Sequence, residues 1–253
     1  MLVKVISLSN AQNRRKIMSD ILNQTDLKWS FLDAVSGADV GLDHPSYDRT
    51  QRLKTPGYDM KVNEIACFMS HRKAWAECVQ HNEPVLVLED DVQISVDFPL
   101  EKINYLIELI ISKAPKNSIP RLGHGKIKSE TASVLKINEI INFIRCRKDP
   151  LGAFSYIVTP DVAKKLLNKS SKFAVPADDF LWRGWENGCF VLDLSREIFF
   201  TTDINNPSTI GDRKKPEISL LKKISREFYR AKENKIKNKF EKKLFEELKR
   251  GNY

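Results

Sequence analysis

The sequence has no long hydrophobic run. No apolar stretch among its 253 residues approaches the roughly 18 to 20 residues needed to cross a bilayer. The apolar start at residues 1–6 is too short for the core of a signal peptide and leads directly into polar sequence. We therefore expect a cytoplasmic protein.

Several cofactor and metal signatures are also missing. The four cysteines show no C-x-x-C spacing and match no zinc or iron–sulfur pattern, so they are expected to be free thiols. No G-x-G-x-x-G is present, which removes the dinucleotide fingerprint. The segment from Ile119 to Lys126 resembles a phosphate loop but has Pro120 and Ile127 where that loop needs Gly and Ser or Thr.

The positive charge is concentrated in the last 41 residues. Residues 213–250 contain 15 lysines and arginines against 6 glutamates, whereas residues 1–212 contain 27 of each sign. Length and an ordinary hydrophobic content of 42% fit one large α/β domain with an appendage. We predict a catalytic or binding domain over residues 1–212 and a basic helical extension over residues 213–253.

The extension has the pattern of an amphipathic helix. Apolar residues recur at steps of three and four between lysines: Leu221, Ile224, Phe228, Ile236, Phe240, Leu244 and Leu248. A basic helix of this kind suits an anionic membrane surface, which would place the protein peripherally on the inner face of the cytoplasmic membrane. Alternatively, the apolar stripe docks on the domain or on a second copy in a homodimer. Nucleic acid is not expected as a partner, because the aromatic residues lie mostly on that stripe.

Strands and helices alternate along the first 212 residues. Strands are predicted at Val3 to Leu8, Trp29 to Val35, Val85 to Leu88, Asn142 to Cys146 and Ala153 to Val158. Helices are predicted at Arg14 to Asn23, Glu64 to Val79, Leu100 to Ser112 and Asp161 to Asn168. The opening β-α-β unit favours a mostly parallel sheet flanked by helices. Polar residues from Gly37 to Lys61 predict a loop or lid over the site.

The most informative segment is a buried strand that ends in three acids. Val85 to Leu88 is a continuous apolar run, and Glu89, Asp90 and Asp91 follow it at the carboxyl end. Ligands of open α/β sheets bind beyond the carboxyl ends of strands, and crowded acids repel unless a cation or solvent screens them. The pattern predicts a divalent cation that holds a diphosphate. A solvated turn is the alternative.

Other candidate site residues lie on the predicted helices. Arg14 begins the first helix, where a guanidinium could meet a phosphate or a uracil carbonyl. His71 could serve a ligand, or it could be a hydrogen-bonded structural residue. Asp178 and Asp179 precede aromatic residues, a combination suited to a sugar, and one of them could be a general base. The pair could equally be an ordinary acidic helix start, and Glu186 is a weaker candidate.

Ordered motifs in this chain resemble glycosyltransferase family 25. They are Val5-Ile6-Ser7-Leu8 with Arg14-Arg15, Asp33-Ala34-Val35-Ser36-Gly37, Glu64 to His71, Leu88-Glu89-Asp90-Asp91-Val92, Gly152 to Tyr156, Pro176 to Asp178 and Pro207 to Ile210. This family extends bacterial lipooligosaccharide and lipopolysaccharide cores, usually with galactose. The resemblance implies a GT-A-like single nucleotide-sugar-binding domain, inversion at the anomeric carbon, and Mn²⁺ or Mg²⁺.

The resemblance also implies roles for particular residues. Asp91 is expected to be the principal metal ligand with Glu89 beside it, and Asp178 the base with Asp179 second. The expected donor-binding residues are Ile6, Ser7, Leu8, Arg14, Ser70, His71 and Asp90. Ser7 and Ser9 replace the Asn and Asp common in the family, and no histidine follows His124 as a further metal ligand.

The expected substrates are a UDP-sugar, with galactose favoured, and a lipooligosaccharide or lipopolysaccharide core acceptor. Two other classes of function are compatible with the sequence. One is a sugar-nucleotide-binding protein of the same fold without catalysis. The other is a nucleic-acid-associated protein that uses the basic tail.

Overall fold

The computed structural model describes residues 1–150, 152–201 and 220–250, which form ten strands and eight α-helices. The strands are β1 (Leu2–Ser7), β2 (Trp29–Asp33), β3 (Val85–Glu89), β4 (Val92–Ile94), β5 (Ser118–Arg121), β6 (Thr131–Lys136), β7 (Asn142–Cys146), β8 (Ser155–Val158), β9 (Phe190–Leu194) and β10 (Phe199–Thr201). The helices are α1 (Gln12–Leu22), α2 (Arg49–Lys54), α3 (Val62–His81), α4 (Ile103–Lys113), α5 (Pro160–Lys169), α6 (Ala177–Trp182), α7 (Gly184–Asn187) and α8 (Leu220–Lys249).

Eight of these strands form one mixed sheet in the order β2-β1-β3-β8-β5-β9-β7-β6, and β10 pairs with β4. β1 runs parallel to β2 and β3, and β5 runs parallel to β9, whereas the other neighbours in the large sheet are antiparallel. The predicted α/β fold, with a central sheet flanked by helices, is confirmed. Because β1, β2 and β3 are parallel, their carboxyl ends lie at one edge of the sheet.

The apolar run of β3 is buried on both faces, as its sequence predicts. Val85 and Val87 belong to the hydrophobic cluster on one face, and Leu86 and Leu88 belong to the cluster on the other. Successive side chains of a strand point to opposite faces, so a strand covered on both sides needs an apolar residue at every position. The apolar run therefore ends where the chain leaves the core, and Glu89, Asp90 and Asp91 follow at that point.

Helices cover the two faces of the sheet. The first face packs on α3, α5 and α6, with Phe68 and Trp75 of α3 at its centre. The second face packs on α1, α4 and the end of α8, which contribute Met18, Ile107 and Leu244. Among the described residues, no helix combines the length and the apolar character required to span a bilayer.

Five strands were not predicted from the sequence: β4, β5, β6, β9 and β10. β5 shows the physical reason. It contains Pro120 and a buried Arg121, residues that argue against a central strand. The Arg121 guanidinium donates to Asp193 at 2.7 Å and to Asp149 at 3.0 Å. A buried charge is tolerated when it is paired in this way, and the pairing partners are distant in sequence.

The segment from Gly37 to Lys61 is more structured than the predicted loop or lid. It contains a 3₁₀ turn at Gly37–Asp39 and helix α2, whose N-cap Asp48 accepts a hydrogen bond from the Gln51 amide at 2.8 Å. Tyr47 is buried, and its hydroxyl accepts from the Met60 amide at 3.0 Å. The prediction of a loop or lid is therefore wrong at residues 49–54, where turn-forming neighbours concealed a short capped helix, whereas the residues that join this helix to the 3₁₀ turn and to α3 are irregular.

The predicted tail helix is present as α8, and it docks on the domain. Leu244 and Leu248 are buried in the sheet's second cluster, which makes these two leucines unavailable for pairing with a second copy. The Leu221 and Ile224 side chains, the predicted boundary at residue 212 and the motif at Pro207 to Ile210 lie outside what the structure describes.

Arg145 of β7 anchors α8 to the domain. Its side chain is 1% exposed, donates to both carboxylate oxygens of Glu241 at 2.8 Å and lies 3.8 Å from the ring centroid of Trp182 in α6. It also donates to the Val191 carbonyl at 2.7 Å. α8 therefore neutralises a buried cation that packs on the helix that carries Asp178.

Glu241→Ala is expected to lower the free energy of unfolding by about 2 to 4 kcal/mol, because it leaves the buried Arg145 guanidinium without its counter-charge. Chemical denaturation monitored by circular dichroism measures this loss. Glu246→Ala is the matched control, since Glu246 lies on the exposed face of the same helix, and it should change stability by less than about 0.5 kcal/mol. Equal effects of the two substitutions would contradict the proposed anchor.

Candidate active site

A cleft of about 440 Å³ opens at the carboxyl edge of β1, β2 and β3. All predicted donor-side and metal residues line it: Ile6, Ser7, Leu8, Arg14, Ser70, His71, Glu89, Asp90 and Asp91. The end of β2, the following 3₁₀ turn and Thr201 complete its walls. Residues distant in sequence meet here because the strands that precede them are parallel and in register.

A smaller cavity of about 170 Å³ adjoins the cleft. It contains Asp178, and it shares the side chains of Cys67, His71, Glu89 and Phe154 with the cleft. The predicted base and the predicted metal ligands are thus located around two neighbouring spaces with a common wall. This arrangement suits two reactants that meet at the wall.

Asp90 is the acid of the triplet that the protein itself neutralises. Its carboxylate accepts from the Arg14 guanidinium at 2.6 Å and from the Ser7 hydroxyl at 2.6 Å. Charge-assisted bonds of this kind are short and strong. Arg14 and Asp90 therefore fix the turn after β3 against the start of α1, and their predicted contacts with a donor remain a prediction.

Glu89 and Asp91 are not neutralised in the same way. The Oδ1 atom of Asp91 is buried and, among the described residues, has no hydrogen-bond partner. Burial, followed by the charge of Glu89, raises the pKa of the Asp91 carboxyl from 3.8 to about 6, against the opposing effect of Arg14. An unpartnered buried oxygen beside a second carboxylate fits the oxygen ligands that Mg²⁺ or Mn²⁺ prefers.

His71 belongs to the common wall, and its two ring nitrogens have different surroundings. Its Nδ1 atom is 2.8 Å from the Tyr156 hydroxyl, which accepts a hydrogen bond from Trp75 Nε1 at 2.9 Å. Complete burial raises the pKa of Tyr156 well above its ordinary value, so this hydroxyl stays protonated. The Nε2 atom has no hydrogen-bond partner among the described residues and lies 3.5 Å from Glu89 Oε1.

Ser70 has its hydroxyl engaged within the protein. It donates to the Ala66 carbonyl at 2.8 Å and accepts from the Val35 amide at 2.8 Å. The bond from Val35 ties the end of β2 to α3, so Ser70 shapes the cleft through the backbone. A direct contact between Ser70 and a donor stays a prediction.

The two aspartates of α6 face different spaces. Asp178 lines the smaller cavity, and its Oδ1 accepts from the Asp179 amide at 2.9 Å. Asp179 borders the groove between α6 and α8, where Arg183 is 3.7 Å away. Glu186 also contacts Arg183, at 3.1 Å. This geometry favours Asp178 among the three candidate bases.

Phe154 forms the wall between the two cavities, and two glycines border its ring. A Cβ atom at Gly152 would lie 2.8 Å from the Phe154 ring, and Gly152 has a φ of +96°. A Cβ atom at Gly123 would collide with the same ring and with the Phe199 carbonyl. Only glycine at both positions leaves the ring where it is.

Sequence reasoning missed Cys67 and Phe154. Cys67 lies one helical turn before His71, so the spacing of four residues was the available signal. Burial raises the pKa of the Cys67 thiol well above its ordinary value, and the charges of Glu89 and Asp178 raise it further. The position of Phe154 depends on the pairing of β8 with β3, which the sequence pattern does not specify.

Comparisons with known proteins identify the family to which the chain is similar. The model of the family described as "Glycosyltransferase family 25 (LPS biosynthesis protein)" matches residues 2–181. The lipooligosaccharide biosynthesis protein lic2B of Haemophilus influenzae is 26% identical over 174 residues, which are 64% of this chain and 60% of that protein.

Animal proteins are similar over the same region. Procollagen galactosyltransferase 1-B of Xenopus laevis is 26% identical over 188 residues, 71% of this chain and 30% of that protein. The probable inactive glycosyltransferase 25 family member 3 of Bos taurus is 28% identical over 189 residues, 71% of this chain and 31% of that protein. The chain thus spans under a third of the length of these animal relatives.

Asp91→Asn is expected to stabilise the metal-free protein at pH 7 by about 1 to 3 kcal/mol. The pKa of Asp91 is raised on folding, so the native state loses stability as pH rises from about 4 to about 6, and Asn removes that loss. Denaturation in the presence of a chelator, at pH 4 and at pH 7, measures the effect. The stabilisation should be several-fold smaller at pH 4, where the carboxyl is protonated in the native state and about half ionised in the unfolded state, and a destabilised variant at pH 7 would contradict the assignment.

Proposed function

The chain belongs to glycosyltransferase family 25, and on this premise we propose that it is an inverting glycosyltransferase that uses a nucleotide-sugar donor. The proposed donor is UDP-galactose, and the proposed acceptor is a lipooligosaccharide or lipopolysaccharide core. One observation carries the proposal: Asp178 and the pair Glu89 and Asp91 border adjoining cavities with a common wall. The names of the Xenopus and Haemophilus relatives support galactose and the lipooligosaccharide acceptor, respectively.

The larger cleft is the proposed donor site. The side chains of Arg14 and Ser7 hold Asp90, which orients the turn that carries Glu89 and Asp91. Glu89 and Asp91 would hold Mg²⁺ or Mn²⁺, which when bound supplies positive charge to stabilise a departing diphosphate. His71 Nε2 extends the polar surface of the cleft towards the common wall.

The smaller cavity is the proposed acceptor site, with Asp178 as the base. Inversion requires the acceptor hydroxyl to approach the face of the sugar opposite the leaving group, and a positioned carboxylate to take its proton. The bond from the Asp179 amide holds one oxygen of Asp178 and orients the carboxylate. General-base catalysis of this kind contributes about 10²- to 10⁴-fold.

A protein of the same fold that binds a sugar nucleotide without turnover is the second candidate. The bovine relative is named a probable inactive member of the family. Both candidates should bind the donor in the cleft, but only an enzyme needs the carboxylate of the smaller cavity. Release of UDP from a panel of UDP-sugars, with a truncated core oligosaccharide as acceptor and with or without chelator, separates the two.

Asp178→Asn is expected to lower kcat by about 10²- to 10⁴-fold while leaving donor binding within threefold, because it removes the base but none of the proposed donor contacts. UDP release measures turnover, and calorimetric titration with UDP measures binding. Asp179→Asn is the matched control. It removes the neighbouring carboxylate, which faces the α8 groove, and should lower kcat by less than tenfold. The reverse pattern would assign the base to Asp179, and full activity of both variants would refute a base on α6.

We propose further that the free face of α8 contacts an anionic membrane surface, which places the protein on the cytoplasmic face of the inner membrane. Exposed bases on the described part of the helix outnumber exposed acids: Lys223, Arg230, Lys232, Lys235, Lys239, Lys242 and Lys243 against Glu227, Glu246 and Glu247. Phe228 and Ile236 are exposed among them. The other face is docked, so deleting the helix would uncover the core and would not test binding alone.

Replacing Lys232, Lys235 and Lys239 with Gln is expected to weaken binding to vesicles that contain phosphatidylglycerol by at least about tenfold, since each nearby basic residue contributes on the order of 1 kcal/mol. Co-sedimentation measures the change, and activity on a soluble acceptor should persist. A variant with Lys16, Lys113 and Lys116 replaced by Gln loses the same charge elsewhere and should bind normally. Equal weakening in both variants would reject α8 as the contact surface.

A further inference from the structure

A buried nitrogen at the common wall has no hydrogen-bond partner in the part of the chain that the structure describes. The His71 side chain is 1% exposed, and its Nε2 atom makes no hydrogen bond with any described residue. Its other nitrogen is held by Tyr156, so the ring orientation is fixed and Nε2 is directed towards Glu89. Buried polar atoms are usually satisfied, and one that is not calls for an explanation, of which a bound ion is one.

Two further donor atoms surround this nitrogen. Cys67 and His71 are four residues apart on α3, so they lie on the same face of the helix. Glu89 comes from the end of β3. One ligand atom from each of these three residues lies within 4.8 Å of the others.

We propose that Cys67, His71 and Glu89 bind one divalent cation of the thiophilic, Zn²⁺ type. Thiolate, imidazole and carboxylate are the usual ligands of Zn²⁺, whereas Mg²⁺ avoids sulfur. A tetrahedral site places its ligand atoms about 3.3 to 3.6 Å apart, and His71 Nε2 is already 3.5 Å from Glu89 Oε1. Three protein ligands leave a fourth position for water or another ligand.

The surroundings of the site support a cation. Metal-bound histidines usually donate their second N–H to a neighbouring oxygen, and the Tyr156 hydroxyl lies at hydrogen-bond distance from Nδ1. Its oxygen has two lone pairs and can accept from both His71 and Trp75. On binding, a sulfur–metal bond forms, the S–H bond of Cys67 breaks, and the proton passes to solvent. The bound dication then offsets the negative charges of Glu89 and Asp178 near the sulfur.

This site is different from the hard-cation site proposed at Glu89 and Asp91, but it shares Glu89. A Zn²⁺ ion on Cys67 and His71 would draw Glu89 away from Asp91 and occupy the wall between donor and acceptor. Zn²⁺ should therefore inhibit sugar transfer. That consequence rests on the proposed function, whereas binding of the cation does not.

The test uses Co²⁺ as a spectroscopic probe of the reduced, metal-stripped full chain. We expect one equivalent to bind with a sulfur-to-cobalt charge-transfer band in the near ultraviolet, which Zn²⁺ displaces. Cys67→Ser should abolish the band. Cys78→Ala is the matched control, because it removes another buried thiol from the same helix, and it should retain the charge-transfer band. Asp91→Asn should retain the band while losing transfer activity, which separates the failure of this site from the failure of the proposed function.

A second measurement needs no variant. Zn²⁺ should slow the alkylation of Cys67 in the native protein by at least about tenfold, as mapped by peptide mass spectrometry, while Mg²⁺ should not. Three results would each overturn the proposal. They are a cobalt complex that lacks the sulfur-to-cobalt band, a band that persists in Cys67→Ser, and equal protection of Cys67 by Mg²⁺ and Zn²⁺.

Discussion

Repulsion between carboxylates at the end of a buried strand is the constraint on which the site depends. β3 is apolar on both faces, so its polar residues can begin only where it leaves the sheet. The Arg14 guanidinium neutralises the middle acid of the triplet and the Ser7 hydroxyl also donates to it, whereas Glu89 and Asp91 form no ion pair with a lysine or arginine among the described residues. This division separates two tasks: Asp90 holds the turn in place, and its neighbours remain available to a ligand. His71 of α3 lies at the same edge of the sheet.

The tail helix is part of the structure that supports this site. Arg145 would be a costly buried charge without Glu241 of α8, and its guanidinium packs on Trp182 of the helix that contains Asp178. Arg183 extends the connection, because it pairs with Asp179, with Glu186 and with Glu233 of α8. α8 therefore has two faces with different partners. The docked face stabilises α6, and the exposed face carries the excess positive charge.

The sequence predicted the parts of the fold that depend on local pattern. The alternating helices, the buried β3 and the acids at the carboxyl edge of the sheet followed from apolar periodicity and from the behaviour of parallel strands, whereas His71 was expected beside them only from the family resemblance. It did not predict β5, because Arg121 in a central strand is tolerable only when Asp193 and Asp149, remote in sequence, neutralise it. Nor could it separate Asp178 from Asp179. Adjacent residues of a helix point about 100° apart, and only the packing of α6 determines which one faces the cavity.

The position of the Phe154 ring between the two cavities depends on the lack of a side chain at two neighbouring glycines. Phe154 stays in place because Gly123 and Gly152 have no side chains to displace it. The ring that borders both cavities is thus held from behind, by residues that need not touch a ligand. A side chain at either glycine would displace the ring and reshape both cavities, while every polar group that lines them stays the same.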